Sequence, residues 1–273
     1  MKNLNIILII ILLIIIIIYI IIYILLPQKQ NFYSAFAGQD RRHLSKEETF
    51  NFLASDSDNY IHNFNKSDLI SRKVFIQNSV QNSIQNYLYQ ISNAAESFTD
   101  NEKIYLNKIS QKANNNILNL NSPISSKLAN IKFIFAKTKN RLYENGFPHT
   151  RENIIFLATP FFNFPQQQAI STLIHEKIHL FQRLYPTDTH QYLENNGYKY
   201  LYEMTQDQTQ LKRSNPDINN SIWSDPNGNI MLPFFKNNNP KSMSDMITSE
   251  KNQHPYEAMA YMFENAGIGF PTE

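Results

Sequence analysis

The chain has 273 residues, with 25 Lys and Arg against 23 Asp and Glu, 42% hydrophobic residues, 12 Pro, only 6 Gly and no Cys. A net charge of +2 without a Lys/Arg-rich block excludes the electrostatic footprint of a dedicated nucleic-acid binder. The lack of cysteine excludes disulfides, a Cys nucleophile, iron–sulfur clusters and Cys-ligated zinc, so any metal must be held by His and carboxylate.

From Ile6 to Leu26 the chain uses only Ile, Leu and Tyr, a run of 21 residues. At about 1.5 Å per residue such a helix is roughly 31 Å long, enough to cross a hydrocarbon core of about 30 Å once. A cleaved signal peptide has a shorter apolar core and a small-residue cleavage site, whereas this run ends Leu25-Leu26-Pro27-Gln28. Residues 1–27 therefore read as an uncleaved transmembrane anchor that places residues 6–26 in a lipid bilayer.

Residues 28–125 read as a tether followed by a helical region. Ser34, Ala35, Gly38 and Gln39 are tether-like, and Ser45-x-x-Glu48 and Thr99-x-x-Glu102 are capping-box signatures ahead of apolar residues. Between them Val74, Ile76, Val80, Ile84, Leu88 and Ile91 recur mostly at helical spacing. Residues 28–140 carry 14 basic and 9 acidic groups and residues 141–273 carry 10 and 14, an asymmetry that a solvated helical face accounts for.

Residues 126–273 mix strands and helices. Ile131–Ala136 and Ile154–Leu157 are apolar and rich in strand formers. Gln166 to Leu184 runs without Gly or Pro and predicts a helix of about five turns, stopped by Pro186. Ile222-Trp223-Ser224, the turn Asp225-Pro-Asn-Gly228 and Ile230-Met231-Leu232 predict a hairpin, and Tyr256–Asn265 a closing helix that ends at Gly267.

The long helix contains His175-Glu176-Lys177-Ile178-His179. Spacing of i, i+4 stacks two imidazoles on one helix face, where both can ligate one zinc ion. Glu176 is rotated by about 100° from His175, so it can reach a water on the metal without being a ligand. The bland alternative is a pair of ordinary helix histidines. Two of only seven His at ligand spacing around a Glu, on a helix that otherwise reads as buried, argue against it. Gln182 and Tyr185 exclude the short metzincin spacing for a third ligand. Glu257, in the first turn of a helix started by Pro255, is the favoured third ligand, with His254 and Glu264 as alternatives. A plain N-terminal helix carboxylate remains the bland reading of Glu257.

The blocks Thr172–Arg183 and His254–Tyr261, with Phe147–Thr150, Ile154–Leu157 and Asn215-Pro-Asp217, resemble the gluzincin-like zinc metallopeptidases of large DNA viruses over about residues 130–265. The resemblance implies a zincin fold with His175, His179 and Glu257 on zinc and Glu176 as catalytic base. A second acid often follows the ligand Glu by four residues in gluzincins. Here that place is Tyr261, which leaves the partners of the zinc histidines open.

The expected fold is thus α+β and mostly helical, a single N-terminal transmembrane helix followed by a zincin-like body with a small sheet. The expected function is membrane-anchored zinc-dependent hydrolysis of a peptide or protein substrate, at a virion or host membrane. His149, His190, His254, Tyr198, Tyr256, Tyr261 and Arg213 are each chemically able to stabilise an oxyanion, and Ile154–Leu157 is the strand on which a peptide would pair. Two readings compete: a structural or attachment protein of a virion membrane that keeps the fold without turnover, and a helical interaction module in which the motif is accidental.

Overall fold

Phe133, Ile134, Phe135 and Ala136 are consecutive and all buried, which a strand achieves only when both of its faces are covered. The computed structural model describes residues 41–76, 78–247 and 254–267. The apolar run 6–26 and the tether to residue 40 lie outside the described residues. Among those described, no helix is long and apolar enough to cross a membrane.

In chain order the elements are β1 (Arg41–His43), α1 (Lys46–Ser55), α2 (Lys66–Ser71), α3 (Val80–Ser92), β2 (Ala95–Glu96), α4 (Asp100–Asn119), α5 (Ser125–Ala129), β3 (Phe133–Thr138), β4 (His149–Arg151), β5 (Ile154–Ala158), α6 (Gln166–Leu184), α7 (Pro186–Asn195), β6 (Lys199–Glu203), α8 (Gln206–Thr209), β7 (Ser221–Ser224), β8 (Ile230–Met231) and α9 (Pro255–Gly267). The fold is α+β, with about half of the described residues helical and two small sheets. Both capping boxes form: the Ser45 and Thr99 side chains accept from the backbone N–H of Glu48 and Glu102, which return the bond to the cap residues' own N–H. Val74 and Ile76 fall outside α3. Ser79 caps that helix by accepting from Asn82 N–H, and the left-handed residues Lys73 and Asn78 interrupt the chain before it.

The main sheet has the order β1-β3-β5-β4, with β2 antiparallel to the end of β3. Strands β1, β3 and β5 are parallel and β4 runs antiparallel to β5. Alternation along β3 and β5 divides their side chains between two cores. Phe133, Phe135, Ile155 and Leu157 join Leu106, Ile109, Leu173, Ile174, Ile178 and Met259 from α4, α6 and α9. Ile134, Ala136, Ile154 and Phe156 join Phe52, Leu53, Ile84, Leu88 and Ile91 from α1 and α3. The motif helix and the N-terminal helices therefore sit on opposite faces of one sheet. The second sheet, β6-β7-β8, is antiparallel, and its β7–β8 hairpin turns at Asp225–Gly228, where Gly228 takes φ +84.

A buried ionic network lies beside the core of α1 and α3. Arg151 of β4 bonds Asp56, Asp58 and the Tyr143 hydroxyl, while Arg72 bonds Glu144 at 2.9 Å. Asp68 accepts from Ser214 N at 2.6 Å and from its hydroxyl at 2.7 Å, tying the loop after α8 to the N-terminal helices. Such pairs add little net stability, but removing one partner strands a buried charge, at a cost of about 3–5 kcal/mol.

Lys177, inside the motif, is fully buried. Its ammonium donates to Asn114 and to the Ala129 carbonyl and lies 4.3 Å from the Phe133 ring centroid. Burial, with a smaller push from Arg41, brings its pKa down to about 7. The folded value lies below the unfolded one, so the unfolded state binds more protons between the two and stability rises with pH there. Relative to Lys177→Met, the parent should gain about 2–3 kcal/mol between pH 6 and pH 9 in urea titrations of the detergent-solubilised chain. A pH-independent difference would show that the ammonium does not titrate in this range.

Candidate metal centre

Nineteen residues without Gly or Pro make α6 continuous, and its i, i+4 geometry stacks His175 over His179. Helix α9 begins at Pro255, whose fixed φ suits a first helical position, and His254 caps it by accepting from Tyr256 N–H at 3.2 Å. Glu257 thereby falls in the first turn, facing α6.

His175 Nε2 and His179 Nε2 are 3.0 Å apart, and Glu257 Oε2 lies 3.4 Å from the first and 3.7 Å from the second. A tetrahedral ion with bonds of about 2.0–2.1 Å spaces its ligand atoms by about 3.3 Å. The point equidistant from the three atoms lies about 2 Å from each, so the triangle fits zinc. Among the described residues this trio is the one metal-competent group of His and carboxylate.

Each corner is held from behind. His175 Nδ1 meets Glu264 Oε2 at 3.1 Å, and Glu264 also accepts from the Ser171 hydroxyl at 3.0 Å. His179 Nδ1 meets Gln182 Oε1 at 2.9 Å, and the Gln182 amide donates to the Tyr256 carbonyl at 2.9 Å. Asn215 donates to Glu257 Oε1 at 3.0 Å. With both Nδ1 atoms protonated toward these acceptors, both Nε2 lone pairs point into the triangle, the tautomer a metal requires.

Charge follows the same arrangement. Burial disfavours charge on His175, but Glu257 and Glu264 outweigh it and hold its pKa well above the ordinary imidazole value. Burial dominates at His179 and lowers its pKa. Burial would raise Glu257, and the two imidazoles overcome it, so its pKa is lowered. Glu176 is 3% exposed and its Oε2 has no hydrogen-bond partner. Burial first, and the charge of Asp217 second, push its pKa well above the usual carboxylate range. A divalent charge at the triangle would draw it back toward the carboxylate form.

Of the sequence-derived candidates, His175, His179 and Glu257 converge, and Glu176 is adjacent and buried. Glu264, an alternative third ligand, instead orients His175. His254, the other alternative, is fully buried, with Nε2 3.2 Å from the Ser221 carbonyl and its pKa brought down to about 3 by burial. Its other ring nitrogen caps α9, so both nitrogens are engaged. Among the oxyanion candidates, Tyr261 packs edge-on against His175 at 4.7 Å. His149 stacks on Phe156, His190 packs edge-on against Trp223, and Tyr198 packs against the main core. Tyr256 hydroxyl accepts from Asn219 at 3.2 Å, and Arg213 N–H donates to the Pro233 carbonyl.

The expected peptide-pairing strand is corrected. Ile154–Ala158 is paired by β3 on one side and β4 on the other, so its backbone has no edge to offer. The edge strand on the motif side is β4, and its outward groups at Thr150 are taken. Thr150 N–H donates to Asp217 Oδ1 at 3.1 Å, and Thr150 C=O accepts from Arg183 Nη2 at 3.0 Å. Arg183 and Asp217 pair at 3.0 Å and close this clamp. Burial would raise the Asp217 carboxyl, but the charges of His179 and Arg183 and the Thr150 hydrogen bond overcome it and lower its pKa. Gln182, Asn215, Asp217 and Thr150 lie within the blocks that carry the resemblance, but the sequence gives none of them a role in the site. Asn215 and Asp217 reach the site through a loop, and no periodicity marks a loop.

Replacing Glu264 by Gln keeps the shape behind His175 but removes its charge. Zinc affinity, read by competition with a chelating dye, should fall about 10- to 100-fold. Unchanged affinity would show that the Glu264 contact does not tune the site.

No family model, curated protein or solved structure matches this chain.

Proposed function

We propose that the chain is a membrane-anchored zinc metallopeptidase. The observation that carries this reading is the triangle of His175, His179 and Glu257, with edges of 3.0, 3.4 and 3.7 Å, beside a buried and unpartnered Glu176. Zinc, when bound, supplies a Lewis acid that polarises a scissile carbonyl and acidifies water. The protein's own part is to hold both Nε2 lone pairs inward through Glu264 and Gln182, and to fix Glu257 through Asn215. Glu176 accepts the proton of the attacking water and returns it to the leaving amine. The packing of Tyr261 against His175 supports Tyr261 as the group that steadies the developing oxyanion. The 21-residue apolar run supports anchorage in a virion or host membrane.

The Arg183–Asp217 clamp on Thr150 favours a second reading, a virion structural or attachment protein of zincin-like fold that keeps its metal without turnover. A peptide that adds a strand to β4 must displace this clamp. Incubating the zinc-loaded full chain with a peptide library, with and without chelator, separates the two. Chelator-sensitive cleavage supports the peptidase. Stoichiometric zinc without cleavage supports the second reading.

A further inference from the structure

Residues 139–148 join β3 to β4, and their turn is fixed from within. Gly146 N–H donates to the Tyr143 carbonyl at 2.8 Å and Phe147 N–H to the Glu144 carbonyl at 3.0 Å, while the Tyr143 and Glu144 side chains are buried. Gly146 takes φ +78, and a Cβ there would stand 3.0 Å from Arg141 Cγ, so the stem of Arg141 lies against it. This well-bonded turn holds Leu142 and Phe147 in water, 58 and 65% exposed.

Both side chains line a cleft of about 600 Å³ together with Lys73 and Arg141. Deeper in the same cleft Arg72 pairs with Glu144 at 2.9 Å, so these two charges cancel. Lys73 and Arg141 have no ion-pair partner among the described residues and are the uncompensated charges of the cleft. A free anion would match the two cations but leave Leu142 and Phe147 wet. The surface of an anionic bilayer matches both, with headgroup oxygens for the cations and the acyl boundary for the apolar tips. A bilayer is also within reach. Only residues 27–40 separate the apolar run from β1, and 14 extended residues span up to about 50 Å. Arg41 pairs with Phe133, and the eight residues on to Arg141 add no more than about 29 Å. Tethering at such range lets a weak surface contact form.

We propose that this cleft docks the body on an anionic bilayer, with Lys73 and Arg141 on lipid headgroups and Leu142 and Phe147 in the acyl boundary. The choice of occupant rests on residues 6–26 as an anchor and is independent of the metal centre.

Because the chain has no cysteine, Ser242→Cys, at the cleft, takes a single small fluorophore. In vesicles bearing the full chain, a nitroxide-labelled lipid should quench this label when phosphatidylserine is mixed with phosphatidylcholine, and much less in phosphatidylcholine alone. Lys73→Glu with Arg141→Glu should lower the ratio of docked to undocked chains at least about 10-fold, with an unchanged melting temperature because neither side chain is paired. Leu142→Ser with Phe147→Ser should lower it too. A label at Ile104→Cys, exposed on α4 at the other face of the sheet, should stay unquenched. Equal quenching in neutral lipid, or quenching indifferent to the charge reversal, overturns the headgroup contact. A chain that floats with vesicles while its cleft label is never quenched overturns docking with the anchor intact, and leaves the cleft to an acidic apolar peptide. A chain that does not float with neutral vesicles overturns the anchor instead. Flotation with anionic vesicles alone, lost on the charge reversal, then still supports the cleft, and flotation with neither overturns both.

Discussion

The chain in detergent should bind about one zinc ion, and His175→Ala, His179→Ala or Glu257→Ala should each abolish stoichiometric binding. The three ligand atoms lie 3.0–3.7 Å apart, so each occupies one corner of a single coordination sphere. Deleting one leaves two protein ligands, fewer than zinc sites use. Metal analysis after dialysis, with a chelating dye to measure affinity, gives the answer for all three variants together. If Glu257→Ala retained zinc at parental affinity, the third ligand would have to come from elsewhere, although His254 and Glu264 already have partners at Ser221 and at His175. If the double histidine variant stayed fully loaded, the site would not exist. The variants should fold, because the side chains removed face one another and not the apolar core between α6 and the sheet.

What the sequence made legible follows from how locally each feature is encoded. The helix Gln166–Leu184 matches α6 end to end, because Pro165 and Pro186 bound a run with no other helix breaker. The apolar runs Ile131–Ala136 and Ile154–Leu157 overlap the strands Phe133–Thr138 and Ile154–Ala158, the first displaced by two residues. Their parallel pairing was not legible, since pairing depends on the chain between them. Nor was the three-layer arrangement, in which Ile134 and Phe156 face α1 and α3 while Phe135 and Ile155 face α6. The i, i+4 pair of α6 exposed two corners of the triangle, and the first turn after Pro255 the third.

The partners behind those corners divide in the same way. Gln182 stands three residues after His179, and Glu264 seven after Glu257 on the same face of α9, spacings that follow from helix geometry once the ligands are known. The resemblance leads one to expect an acid one turn after Glu257, whereas Glu264, which meets His175, stands two turns after it. Asn215 and Asp217 arrive from a loop held by Asp68 and Arg72, so their placement depends on tertiary contacts alone. The N-terminal helices thus act on the site: Asp68 fixes Ser214, and the next residues fix Glu257 and Thr150.

Glu176→Gln should keep zinc and lose turnover, the reverse of Glu257→Ala. The amide has nearly the shape of the carboxylate, and Glu176 lies outside the triangle, so coordination is untouched. An amide cannot accept the water's proton, and losing a general base commonly costs about 10² to 10⁴ in rate. The buried Oε2 has no partner to lose, so the substitution breaks no hydrogen bond there and should leave stability nearly unchanged. The decisive measurement is therefore a triplet of values for each variant: bound zinc, melting temperature and peptidase rate. Parental zinc and stability with a rate lowered at least 100-fold assigns the proton transfer to Glu176. A variant as active as the parent would remove Glu176 from the chemistry, and with it the reason to read the triangle as catalytic. The Thr150 clamp would then tell more than the triangle, as the closed edge of a protein that holds zinc for its fold.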